Sequence, residues 1–140
     1  MLKYLEKHKK GLVYIPLVIY WLLLITATSL PAADLPSIGT IDKVNHFIAY
    51  FGLSVLLTLC FLFQTKYDFL YKKAFLISFL IVIFYGVIDE VHQLFIPGRM
   101  AEILDWLADV GGALIGILLV LVLVKMLDYK SNKFDQIAEN

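Results

Sequence analysis

Cysteine and arginine are almost missing from this chain of 140 residues: Cys60 and Arg99 are the only ones. One cysteine, set in an apolar run, excludes a disulfide framework and a cysteine-rich metal site. Charge is also scarce. Charged residues make up 17% of the chain and the formal net charge is zero, so no basic field for nucleic acid exists and none is expected as a partner. Internal repeats are absent, as are the alternating polar and apolar positions that mark half-buried strands. The length leaves room for one small domain, residues 1–140.

Apolar side chains fill the space that charge leaves. They make up 61% of the chain, with a mean hydropathy of +0.83, and they sit in long runs. The runs cover residues 12–30, 44–63, 74–96 and 104–127, followed by a polar tail at 128–140. About 20 residues of helix cross ~30 Å of hydrocarbon at ~1.5 Å per residue, so each run is long enough to span. Lipid leaves no water for unpaired backbone, which makes helices the only spanning form compatible with this pattern. The expected fold is all-α, an integral membrane four-helix bundle.

Lysine placement orients it. Lys3, Lys7, Lys9 and Lys10 precede the first run, Lys66, Lys72 and Lys73 link the second and third, and Lys125, Lys130 and Lys133 follow the fourth. The other two links hold Lys43 and Arg99. Four crossings put the lysine-rich segments on one side, giving a multi-pass protein of the cell membrane with both termini cytoplasmic. A competing reading takes the first run as a secretory signal ending at Pro31-Ala32-Ala33. That run is long for a signal core, and proline is unfavourable three residues before a cut. Cleavage would remove one helix without inverting the other three.

Ionisable residues then gather at one depth. Asp42, Lys43 and His46 open the second run, Asp89, Glu90, His92 and Gln93 close the third, and Arg99, Glu102, Asp105 and Asp109 surround the start of the fourth. With this topology all three groups reach the outer part of the bilayer. His46 lies only ~5 Å, and Asp109 ~8 Å, inside the start of its helix. Asp42, His46 and Tyr50 share a face at four-residue steps, and Asp89 and Gln93, like Asp105 and Asp109, stand one turn apart. Acids in the first turn of the fourth helix suit its positive dipole end. Ile96-Pro97-Gly98-Arg99 reads as a tight turn.

Polar residues at membrane-helix ends are ordinary, because water and headgroups are near. That reading suits Asp42, Lys43 and Glu102 best. Carboxylates within or beside apolar runs are costly unless they face a cavity or partner, so His46, Glu90, Asp105 and Asp109 are the stronger candidates. Arg99, whose planar fork can hold a carboxylate or phosphate, is the expected partner. Ala108, Gly112 and Gly116, with Gly111, form a small-residue row where the fourth helix packs on the second or third. A homodimer seam is the alternative. Tyr14, Tyr20, Trp21, Tyr67, Tyr71 and Trp106 suit an interfacial aromatic belt.

These residues resemble the signature of VanZ-like membrane proteins. Asp42-Lys43-Val44-Asn45-His46-Phe47-Ile48-Ala49-Tyr50 is similar to that family's first block. Asp89-Glu90-Val91-His92-Gln93, running on to Pro97-Gly98-Arg99, resembles the second, and Asp105 to Gly112 with Gly116 the third. The resemblance spans about residues 12–125. It implies a cell-envelope role, since the family's namesake is associated with resistance to the glycopeptide teicoplanin. Where the family usually has asparagine, this chain has Asp109, which adds a negative charge one turn from Asp105.

Two functions compete. As an enzyme on a lipid-linked or cell-wall precursor, the protein would use His46 or Glu90 as general acid or base and Asp105 to orient the histidine. Asp42, Lys43, Tyr50, Asp89, Gln93, Arg99 and Asp109 would bind substrate. No serine nucleophile is evident, because Ser54 lies below the polar layer, so water is the expected attacker. As a binder, the same pocket would hold an amphiphilic drug such as a lipoglycopeptide, a lipid headgroup or a partner helix, with Arg99 and Trp106 in contact. A channel or transporter ranks below both, since the polar residues stop at one face. No cofactor is indicated. His46, Glu90, His92 and Asp105 are acceptable ligand types for a divalent metal, but the spacing H-E-x-x-H is absent, and Glu90 and His92 face different ways.

Overall fold

The chain is described by a computed structural model that covers the backbone of residues 2–34, 41–64 and 66–138 and the side chains of 4–33, 42–64 and 66–127. Its elements are α1 (Leu2–Lys7), a π-helical turn (Lys10–Tyr14), α2 (Ile15–Thr28), a 3₁₀ turn (Ala32–Asp34), α3 (Ile41–Phe63), α4 (Asp68–Lys72), α5 (Ala74–Gln93) and α6 (Ile103–Ala138). There is no strand among the described residues. Four helical segments are long and apolar enough to cross a membrane: Lys10–Thr28, Asp42–Phe63, Ala74–Gln93 and Ile103–Leu127. They match the four apolar runs.

Boundaries shift for local reasons. Pro16 near the start of α2 lacks an N–H, and its ring crowds the carbonyl four residues back, so the preceding turn widens to the π form. α5 stops at Gln93 instead of running to Ile96, because the chain must already reverse. Gly98 has φ +76, and the Arg99 N–H donates to the Ile96 carbonyl at 3.1 Å. Proline second and glycine third in such a turn is the type II pattern. The polar tail is helical rather than separate, since α6 continues to Ala138. The side chains of Lys3, Lys130 and Lys133 lie outside the described residues.

α3 is the central helix, with α6 as its principal partner and α5 the next. Small residues set that order. A Cβ on Gly112 would fall on the Phe47 carbonyl, and one on Gly116 would collide with the Ser54 hydroxyl. The small-residue row is thus a seam inside the bundle, against the second membrane helix. Tyr50, Leu53 and Leu57 of α3, Val82 of α5 and Ala113 of α6 form the core with Leu17 of α2. α2 is peripheral: Leu17 is its one buried residue. Large apolar side chains such as Leu22, Ile48, Phe84 and Leu118 point outward, as lipid contact requires.

Candidate functional site

One end of the bundle gathers the polar residues: the end of α2, the start of α3, the end of α5 and the start of α6. Three devices hold it together. The Ala32 N–H donates to the Pro97 carbonyl at 3.2 Å, joining the two connecting loops. Arg99 reaches the carbonyls of Leu30 (Nε, 3.4 Å) and Ala27 (Nη2, 3.5 Å), placing a cation at the negative end of α2 through long, weak hydrogen bonds. Glu90 Oε2 accepts the backbone N–H of Glu102 at 2.7 Å, so a carboxylate from α5 caps the start of α6.

His46 sits at the centre. Its Nδ1 lies 2.9 Å from Asp109 Oδ1 and 4.0 Å from Glu90 Oε1. All three are buried, Asp109 completely. An ionised carboxylate only accepts, so Nδ1 carries the hydrogen and Nε2 is left for other contacts. Lys43 Nζ bridges Glu102 Oε2 (2.9 Å) and Asp105 Oδ1 (3.1 Å). Gln93 Nε2 donates to Asp89 Oδ2 at 3.5 Å, a marginal length.

These groups adjoin a cavity of about 600 Å³. Asp42, His46, Asp89, Gln93, Arg99 and Asp105 line its polar side, with Glu102 and Tyr50, while Leu24, Ala27, Ala49 and Met100 supply apolar wall. Glu90 and Asp109 stand behind His46, and Lys43 stands beside the cavity, not on its wall. Rings stack away from the site: His46 and Tyr50 at 6.4 Å, Tyr50 and Tyr85 at 5.9 Å, and Tyr85 and Trp21 edge-on at 5.2 Å.

All ten candidate residues therefore fall in one layer, but their pairings differ from the expected ones. The carboxylate that orients His46 is Asp109 rather than Asp105, which is committed to Lys43. Asp109 lies a turn deeper in α6, level with a histidine that is itself a turn inside α3. Arg99 pairs with carbonyls instead of a carboxylate. His92 is half-buried and outside the cluster, consistent with its facing away from Glu90. Trp106 donates to the Ile83 carbonyl (3.3 Å) and does not line the cavity. Tyr20 also turns inward, its hydroxyl donating to the Ala49 carbonyl at 2.9 Å, while Tyr67 and Tyr71 are exposed.

Sequence reasoning missed Gly86. A Cβ there would stand 3.1 Å from Asp109 Oδ2 and 3.2 Å from Trp106, so the glycine makes room for the acid. Its signal was present, since Gly86 shares the buried α5 face of Ser78, Val82, Glu90 and Gln93 at near-helical steps. Two trios of potential metal ligands also emerge, Asp42–His46–Asp105 and His46–Glu90–Asp109, with ligand atoms within 4.8 Å of one another in each.

Neither a curated protein nor a solved structure matches the chain. A family model described as VanZ/LLP1 matches residues 4–124, which takes in the first three membrane-length helices, most of the fourth and every residue of the cluster. With the four apolar helices, that match makes this a membrane protein of the VanZ type, and the chain belongs to the VanZ/LLP1 family.

Proposed function

We propose that the protein acts at the outer face of the cell membrane, where its polar cavity holds the headgroup of a lipid-linked or cell-wall precursor. In this reading both termini are cytoplasmic and the lysine-poor end faces outward, as the lysines of the connecting segments favour. The observation that carries it is the His46–Asp109 pair, buried at 2.9 Å beside a cavity that is part polar and part apolar. Asp109 fixes the ring, and Nε2 is free to exchange a proton with a headgroup. Charged groups inside membrane helices are costly, and such expense marks functional positions. The apolar wall suits the acyl or prenyl part of the same amphiphile.

A second reading, binding without turnover, also has an observation behind it. Among the described residues at the cavity, Lys43 is paired with two carboxylates and Arg99 already reaches two carbonyls, which favours holding an amphiphile over stabilising an anionic leaving group. A pocket of this kind would sequester an amphiphile such as teicoplanin or its target, as the family resemblance suggests. The two readings part on Glu90→Gln. Turnover should vanish with binding intact if the protein is an enzyme, and affinity should fall in a graded way if it is a binder.

Protection of a susceptible Gram-positive host against teicoplanin tests the site. Cells making the original chain, His46→Gln or Glu90→Gln are compared at matched membrane levels. The expected result is a raised inhibitory concentration from the original chain alone. Equal protection from all three would overturn the proposed site. No protection from any would remove this drug from the reading and turn the search to lipid substrates.

A further inference from the structure

Charge in the cluster is out of balance. Asp42, Asp89, Glu102 and Asp105 line the cavity, and Glu90 and Asp109 stand behind it. Lys43 is committed to Glu102 and Asp105, and the Arg99 guanidinium to backbone carbonyls. Among the described residues that leaves His46 as the one side chain able to carry positive charge beside both Glu90 and Asp109. Glu90 Oε1 and Asp109 Oδ2 have no hydrogen-bond donor among the described residues, on side chains only 10% and 1% exposed. A buried carboxylate oxygen without a donor is expensive. Glu90 Oε1 and Asp109 Oδ1 both face the His46 imidazole while Asp109 Oδ2 stays buried without a donor, and this excess of negative charge calls for a cation.

We propose that His46, Glu90 and Asp109 bind a divalent first-row transition ion of the Mn²⁺ or Zn²⁺ class. One imidazole nitrogen with two carboxylate oxygens is a donor set of intermediate hardness that suits both. Ligands ~2.0–2.2 Å from a tetrahedral ion lie roughly 3.3–3.6 Å from one another. The distances from His46 Nδ1, 2.9 Å to Asp109 and 4.0 Å to Glu90, bracket that range. Outer contacts are in place as well. The Glu102 N–H holds Glu90 Oε2 and leaves Oε1 turned toward His46. Gly86 keeps the space beside Asp109 Oδ2 open. The rival trio, Asp42–His46–Asp105, shares the histidine, but Lys43 already occupies Asp105.

The inference rests on the cluster being the functional site and refines what it can accept. Bound there, the ion would offset the two carboxylates, so that an acid-rich cavity could admit a phosphate-bearing headgroup. On binding, the ion would displace the Nδ1 hydrogen that Asp109 accepts, releasing one proton, so that Nδ1 becomes the ligand atom and Nε2 carries the hydrogen of the neutral ring.

Electron paramagnetic resonance of Mn²⁺ added to the chelator-stripped full chain in nanodiscs tests it. Saturable binding of one Mn²⁺ per chain is expected, with displacement by Zn²⁺, which lies above Mn²⁺ in intrinsic affinity. Glu90→Gln and Asp109→Asn should each weaken binding by at least about tenfold, while Asp42→Asn leaves it unchanged. If those variants do not fold, spin-echo modulation from an imidazole nitrogen that persists when His8 and His92 are both replaced by Gln assigns the ligand to His46. Absence of saturable binding, absence of that modulation, or loss in Asp42→Asn instead of Glu90→Gln would overturn the proposal. Teicoplanin protection without Mn²⁺ binding would defeat only the ion. Mn²⁺ binding with protection unchanged by His46→Gln and Glu90→Gln would defeat only the functional reading.

Discussion

The two ends of the bundle handle charge in opposite ways. At the end holding Lys9, Lys66 and Lys72, charged groups meet their partners at the surface. Lys9 Nζ donates to the Phe63 carbonyl at 2.7 Å, and Lys72 faces Asp68 at 4.0 Å with both side chains largely exposed. The Gln64 side chain closes its own loop, accepting from the N–H groups of Lys66 and Tyr67. At the other end His46, Asp89, Glu90, Asp105 and Asp109 are buried. Exposed pairs contribute little to stability and can be lost cheaply. Buried charges in a membrane bundle persist only where something compensates them. The contrast separates charges that can stand singly at a surface from buried charges that depend on one another.

The comparison breaks most completely if the seam beneath the polar end is opened. Gly112→Leu would drive a side chain into the Phe47 backbone, and the expected outcome is a chain that does not accumulate folded in the membrane. The milder Gly112→Ala should cost about 1–3 kcal/mol, read by reversible unfolding in mixed micelles. Next comes Glu90, which sharpens the distinction between support and chemistry. Glu90→Ala removes the acceptor for the Glu102 N–H and should destabilise by about 0.5–2 kcal/mol in the same assay. Glu90→Gln keeps an acceptor, so it should lose less than half of that stability while losing function. A smaller effect is expected away from the site: Tyr20→Phe deletes the hydroxyl donor to Ala49 and should cost about 0.5–1.5 kcal/mol. Smallest is Asp68→Asn at the opposite end, where unfolding should show no measurable change.

Much of this molecule was legible in its residues. Apolar length alone located four helices, because the membrane-spanning requirement is blunt and charged or turn-forming residues break each run. The reversal at Pro97-Gly98 followed from the φ that each residue supplies. The Gly112 and Gly116 row announced a close helix approach, though its partner, α3, had to come from the fold. At the site, helical spacing placed all ten candidates in one layer. It could not settle which acid meets His46, since Asp105 and Asp109 share a helix and differ by a turn of depth, and only the α3–α6 register decides between them. Arg99 misled for a related reason. Its charge suggested an anion, whereas the turn aims it at the Leu30 and Ala27 carbonyls at the end of α2. Gly86 went unread although its four-residue steps to Val82 and Glu90 place it on the buried face, because the side chain it makes room for, Asp109, is set by the α5–α6 register.

Which end of the bundle faces outward is the point on which the functional account turns, and labelling with a membrane-impermeant thiol reagent measures it directly. In a Cys60→Ala background, single cysteines replace Met100, exposed at the cavity, and Lys66, exposed at the far end. The account predicts that in intact cells Met100→Cys is labelled and Lys66→Cys is labelled only after lysis. Labelling of Lys66→Cys in intact cells, with Met100→Cys protected, would place the cavity in the cytoplasm and contradict it.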